Sequence, residues 1–195
     1  MTKVLILGAT GSIARVATKL FLNETDVELT LYARTARRLG PVDAARVRII
    51  EGDVLDAATL TDAMAGQDVV YANLAGDLVA MARSVVDAMH AAGVRRLVWI
   101  SSMGIYGEVP GERYRRVLDP YRDSAAVIEA SDLDWTILRP GWFTDDDDVT
   151  YETTRKGEPF RGHDISRMSL ATLVVRLATT PGLVIRESLG VNTPV

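Results

Sequence analysis

Short apolar runs alternate along the chain with stretches whose apolar residues recur at helical spacing. Lys3-Val4-Leu5 opens the series as a buried strand, and Arg15 to Leu22 follows with the spacing of a helix. Val27 to Ala33 and Val47 to Ile50 read as the second and third strands, and Ala57 to Ala65 as a helix. Asp68 to Ala72 is a fourth strand, followed by an amphipathic helix from Leu78 to Ala92 that Gly93 stops. Leu97 to Ile100, a helix from Pro120 to Ser131, and Trp135 to Leu138 continue the alternation. Further on, Val149 to Thr154 alternates as a short strand and Lys156 to Phe160 reads as a turn. A helix from Ser166 to Thr179 ends at Pro181-Gly182, and Glu187 to Val191 is expected as a final edge strand. Strands separated by helices pair in parallel through right-handed crossovers. The pattern therefore predicts an α/β fold, a doubly wound and mostly parallel sheet of six to seven strands with helices on both faces.

Between the first strand and the first helix lies Gly8-Ala9-Thr10-Gly11-Ser12-Ile13-Ala14. A glycine-rich turn in that position is the context of a dinucleotide-binding turn. Gly8 permits the tight turn, Gly11 removes a side chain where a pyrophosphate approaches the backbone, and small Ala14 lets helix and strand pack closely. The helix N-terminus offers free N–H groups and the positive end of its dipole to phosphates. Thr10, Ser12 and Ile13 belong to the same expected cradle. The whole chain, residues 1–195, is expected to form a single Rossmann-type NAD(P)-binding domain, with 142–195 as a small substrate-side cap.

In open α/β sheets ligands bind at the C-terminal ends of the strands, so the residues after each strand carry the next clues. Arg34 follows the second strand, with Arg37 and Arg38 close behind, and no acidic residue stands where one would hold an unphosphorylated ribose. A guanidinium pairs with phosphate through two hydrogen bonds, which favours NADP over NAD. Asp53 and Val54 follow the third strand and suit an adenine amino group and ring face, although Asp53 or Asp56 can equally cap the next helix. Asn73-Leu74-Ala75-Gly76 follows the fourth strand, and small Ala75 would let the backbone pass close to the cofactor. Ser101 and Ser102 follow the fifth strand, where the nicotinamide would lie. Trp142 and Phe143 follow the sixth and either wall the site or fill the core.

Composition narrows the classes. The formal net charge of −4 disfavours a nucleic-acid surface. The absence of cysteine excludes disulfides, a thiol nucleophile and thiolate metal sites. His90 and His163 are isolated, and Asp145 to Asp148 is four adjacent carboxylates, better suited to a solvated loop than to a metal site. No metal is therefore expected. The loop stands just past the expected nicotinamide site and reads as part of a mobile lid. Arg161 and Arg167 flank His163 and are placed either to face an anionic substrate or simply to be solvated. No apolar run approaches a membrane span, and the chain enters its first strand at once, so no membrane contact and a cytoplasmic location are expected.

The Gly8-Ala9-Thr10-Gly11 turn, Gly52-Asp53, Ser101-Ser102 and Leu133-Asp134-Trp135-Thr136-Ile137-Leu138-Arg139-Pro140-Gly141 together resemble the atypical short-chain dehydrogenase/reductases. Within them the chain is similar to the small NmrA-like NAD(P)H-binding group, which includes flavin and biliverdin reductases. Larger reductases of this superfamily use a tyrosine proton donor with a lysine four positions later. The lysines here are Lys3, Lys19 and Lys156, and none stands four after a tyrosine; Tyr121, in the expected region, is followed at that distance by Ala125. A phenol with a pKa of about 10 is a poor proton donor without such help. Ser102 and Tyr121 remain the catalytic candidates. A flavin, by contrast, spreads the charge of an arriving hydride over its rings, so the protein need mainly hold two flat rings together and exclude water. The resemblance thus implies hydride transfer to a flavin or another conjugated small molecule. The alternative is a non-catalytic redox sensor that binds the dinucleotide and acts through a protein partner. The short C-terminal segment predicts an open site, or one completed by a second subunit in a homodimer.

Overall fold

In the computed structural model, which describes residues 1–42 and 45–195, eight strands form the main sheet. These are β1 (Lys3–Leu7), β2 (Glu28–Ala33), β3 (Val47–Glu51), β4 (Val69–Ala72), β5 (Arg96–Ile100), β6 (Asp134–Pro140), β8 (Glu152–Arg155) and β10 (Glu187–Asn192). Their order is β3-β2-β1-β4-β5-β6-β10-β8. All neighbours pair in parallel except β8, which runs antiparallel to β10. Two further strands, β7 (Trp142–Thr144) and β9 (Asp164–Ser166), pair in parallel as a separate small sheet.

The strands are apolar along their length because most are covered on both faces. Val4 to Leu7 are all fully buried, and so are Val70 and Tyr71 at the centre of β4. One face packs on α1 (Ser12–Glu24) and α5 (Arg167–Thr179), through Ile13, Ala17, Phe21, Leu170 and Val174. The other packs on α2 (Ala57–Met64), α3 (Leu78–Ala92) and α4 (Asp119–Glu129), through Leu60, Val85, Met89 and Ile128. In α1 the buried positions 13, 14, 17, 20 and 21 trace one helical stripe. Burying a Leu or Phe side chain fully is worth about 1.5–3 kcal/mol, so this stripe, rather than intrinsic propensity, holds α1. Gly93 ends α3 in the left-handed conformation at φ 72°, with Val94 N–H returning to the Met89 carbonyl at 2.9 Å.

Two expectations are corrected. The sheet has eight strands rather than six to seven, because β8 and β10 both join it. The stretch at Glu187 to Val191 is not an edge strand: β10 lies between β6 and β8, and the edge belongs to β8. Residues 142–195 accordingly divide between the two sheets, with α5, β8 and β10 in the main layers and β7 and β9 apart.

Candidate cofactor site

The chain reverses direction across the sheet between β1 and β4, where consecutive crossovers part to opposite sides. Such a switch point leaves a crevice beyond the strand ends. Here the crevice is a cavity of about 410 Å³. Its lining comes from four strand-end segments: Gly8, Thr10 and Gly11 after β1, Arg34 after β2, Asp53 and Val54 after β3, and Ala75 after β4.

The glycine turn is fixed by its contact with the end of β4. Gly8 has φ 74°, and a Cβ there would stand 2.1 Å from the Asn73 carbonyl oxygen. Its N–H, with that of Ala9, is donated to the Tyr32 carbonyl. At Gly11 a Cβ would stand 2.5 Å from the Asn73 side-chain amide nitrogen. Gly11 therefore makes room for Asn73 as well as for any phosphate. The turn leads into α1 with neither a side-chain cap nor an acidic residue in the first turn. The N–H groups of that end and its positive dipole are consequently unmatched by protein carboxylate, as an anion site requires.

Arg34 is exposed at the rim, and it makes no side-chain hydrogen bond or ion pair among the described residues. Arg38 lies on the same rim, its carbonyl accepting a bond from the Arg15 guanidinium. Arg15 also donates to the Thr10 carbonyl at 3.1 Å, which ties the glycine turn to the loop after β2. After β3 the two aspartates separate in role. Asp56 caps α2, accepting from Thr59 N–H at 3.3 Å and Thr59 Oγ1 at 2.6 Å, and these bonds hold its carboxyl below the usual range. The Asp53 carboxylate accepts, among the described residues, only from Leu55 N–H, at 2.9 Å, and Asp53 lines the cavity. Beneath it, the Tyr32 hydroxyl donates to the Asp53 carbonyl at 2.8 Å. Burial, with the nearby Asp56 and Asp53 carboxylates, pushes the Tyr32 phenol up to about 12.

The remaining predicted residues lie outside this cavity. Ser12 and Ile13 open α1; Ile13 is buried and its side chain packs in the core, while Ser12 is exposed. Ser101 is buried at the end of β5, and its hydroxyl has no partner among the described residues. Among the described residues Ser102 Oγ reaches only the neighbouring Met103 carbonyl, at 3.2 Å. Tyr121, at the start of α4, packs partly buried against the core, and its hydroxyl makes no hydrogen bond among the described residues. Lys156 instead stands over the Tyr106 ring, 4.4 Å from its centre, and bonds Glu129 at 2.8 Å. The Tyr106 hydroxyl donates to the same carboxylate at 2.7 Å, and burial holds this phenol well above its ordinary value. That tyrosine is occupied structurally. Trp142 is 52% exposed and Phe143 38% exposed, so neither fills the core. The Trp142 ring stacks on His163, with centroids 6.3 Å apart. No group of three or more metal-ligating side chains gathers among the described residues, and no helix is long and apolar enough to cross a membrane.

Several lining residues carried no signal of their own. Tyr32 falls within the second predicted strand, Met81 within the predicted helix from Leu78 to Ala92 and Leu74 within the segment after the fourth strand, and Thr35 drew no reading. They reach the cavity because the switch point brings their elements together. The same arrangement fits a dinucleotide on four counts: the uncapped α1 end, the unpaired Arg34, the open Asp53 carboxylate, and the orphaned Ser101 hydroxyl.

Comparison with known proteins points the same way. The family model described as NAD(P)H-binding matches residues 8–181. An NAD(P)H azoreductase of Xenophilus azovorans is 26% identical over 188 residues, covering 92% of this chain and 64% of the azoreductase. The chain thus spans a little under two thirds of that relative's length. A Rossmann-fold NAD(P)-binding family protein from Shigella flexneri has a solved structure with a TM-score of 0.89 and 44% identity, over 100% of this chain and 94% of that one. A short-chain dehydrogenase/reductase from Veillonella parvula DSM 2008, solved in complex with NADP, gives a TM-score of 0.89 and 30% identity, over 99% of this chain and 95% of that one.

Proposed function

Because the chain belongs to the NAD(P)H-binding family, we propose that it is an NADPH-preferring oxidoreductase that passes hydride to a flavin or another conjugated small molecule. The observation that carries this reading is the strand-end cavity, which the glycine turn and an unpaired Arg34 both line. Gly8, Thr10, Gly11 and Ser12 would hold the pyrophosphate, Arg34 the ribose phosphate, Asp53 and Val54 the adenine, and Ser101 the nicotinamide side. When bound, the reduced nicotinamide supplies a hydride. The chain's own part is to orient that ring and keep water from it.

The acceptor side supports a conjugated molecule. Tyr121 has no lysine four positions on, and Tyr106, which does have a lysine beside it, is committed to Glu129. A carbonyl substrate needs a proton on oxygen as hydride arrives. A flavin or azo group spreads the charge, and solvent supplies the proton afterwards. The exposed Trp142 and Phe143 give such a flat acceptor a surface to stack on. The azoreductase relative acts, by its name, on an acceptor of this class.

Two measurements test the reading. Arg34→Ala should weaken NADPH binding by about tenfold or more, the worth of a charge-assisted phosphate contact, and NADH binding much less. Equal losses for the two would remove Arg34 from phosphate recognition. Purified protein should also oxidise NADPH when free flavin or a quinone is added. Tight NADPH binding with no acceptor reduced across a broad panel would replace the enzyme with a redox sensor, for which the exposed Trp142 and Phe143 would be the partner surface.

A further inference from the structure

Arg167 is the first residue of α5, yet its side chain turns away from the core towards the glycine turn. Its Nε lies 3.3 Å from Ser12 Oγ, and Ser12 is the first residue of α1. The guanidinium is braced from behind by the Phe143 ring, 5.4 Å from the ring centre, and by the Thr144 carbonyl, to which Nη1 donates at 3.2 Å. The same Nη1 pairs with Asp145 at 2.6 Å. These contacts fix a cation within one hydrogen bond of an uncapped helix start that lacks any carboxylate of its own.

We propose that Arg167 is an anion-binding residue of the cofactor site, and that it exchanges Asp145 for the pyrophosphate of the bound dinucleotide, releasing the acidic loop. The inference rests on the family's dinucleotide site and adds a residue and a coupling to it. Asp145 is suited to be displaced. Its side chain is 91% exposed against 25% for Arg167, and ion pairs so open to water are weak. A pyrophosphate held by the α1 N–H groups would arrive with more charge and with oxygens placed for a guanidinium fork. The release is bounded. The Asp148 carbonyl accepts hydrogen bonds from Ser169 Oγ at 2.7 Å and from Ser166 Oγ, which anchor the far end of the run to the start of α5. Losing the Arg167 contact therefore frees Asp145 to Asp147 alone. That segment begins one residue past Phe143, so cofactor binding would free the chain next to the acceptor surface.

The test is calorimetric titration at low ionic strength of the wild type, Arg167→Ala, Arg167→Lys and Asp145→Asn, with NADPH, NADH and adenosine 2′-monophosphate. Arg167→Ala should weaken NADPH and NADH by a similar factor, about tenfold. It should leave adenosine 2′-monophosphate, which has no pyrophosphate, within twofold of wild type. Arg167→Lys should recover part of the loss, and Asp145→Asn should tighten both dinucleotides by about two- to threefold. Limited proteolysis should cut the loop at 145–147 faster when NADPH is added to the wild type. Unchanged NADPH affinity in Arg167→Ala overturns the proposal, as does an equal loss for the monophosphate fragment, which would mark a fold defect. No tightening in Asp145→Asn overturns the exchange. Failure of the wild type to bind NADPH is a different result, and it would remove the dinucleotide reading itself.

Discussion

Tyr71 sits at the centre of β4, fully buried, with its hydroxyl lacking a partner among the described residues. Burial alone drives its phenol far above the ordinary value. An unpaired hydroxyl in the core costs about 1–3 kcal/mol, whereas the ring beneath it contributes by packing. Tyr71→Phe keeps the ring and removes the orphan. It is expected to raise stability by about 1 kcal/mol, read as a higher urea midpoint at unchanged slope. Tyr32 on β2, two strands away across β1, is the contrast: equally buried, but with its hydroxyl on the Asp53 carbonyl, where it supports the cavity floor. The same distinction separates Ser101 from Ser102. Both are hydroxyls after β5, but only Ser101 is buried with its hydrogen-bonding capacity unspent.

At the scale of elements, α5 shows how a short side chain organises two segments. Ser166 is its N-cap, accepting from Ser169 N–H at 2.8 Å, and its own proton goes to the Asp148 carbonyl. Ser166→Ala removes both bonds at a nearly fully buried position, so its cost should exceed that of an ordinary cap, at about 2 kcal/mol. Thermal unfolding checks this, and faster proteolysis between 145 and 150 checks the loop. This helix start was legible from the serine before an apolar periodic run, as were β1, the glycine turn and α3. Arg34 and Asp53 were legible because a strand-end rule says where to look before any contact is known. The small β7–β9 sheet was not. Each strand has three residues, too few for a period, and Trp142 pairs with Asp164 across a long intervening stretch. The interior place of β10 was hidden for a related reason. Its alternation fits an edge, and only the antiparallel return of β8 against it covers that edge. Arg167 is ambiguous between solvent and ligand in the sequence, where the pairing of β7 with β9 that brings Phe143 and Thr144 behind it leaves no trace.

For the molecule as a whole, the extension of the sheet past β6 is braced, beyond its strand ladder, by one buried charge. Arg139 on β6 is fully buried and pairs with Glu108, whose side chain is 5% exposed, from the loop after β5. Arg139 Nε also donates to Ser188 Oγ on β10 at 3.1 Å, and Nη2 to the Ser188 carbonyl at 3.3 Å. Glu108 in turn accepts from the N–H groups of Gly104 and Tyr106, at 3.0 and 2.9 Å. One ion pair thus joins β6, β10 and the covering loop. Removing one partner of such a pair strands the other charge in the core, at a cost of about 3–5 kcal/mol. Arg139→Met should therefore destabilise the protein by about that amount. Adding Glu108→Leu should recover only part of it, because the part-buried N–H groups of Gly104 and Tyr106 then lose their acceptor, at a cost of up to about 1–3 kcal/mol each. A double-mutant cycle by urea unfolding measures the coupling, and strictly additive losses would refute it. Neither residue lines the cofactor cavity. Any Arg139→Met protein that remains folded should bind NADPH within about twofold of wild type, a difference well under 1 kcal/mol. The sheet's two ends are in this sense independent: the glycine-turn side serves the ligand, while the Arg139 side holds the added strands in place.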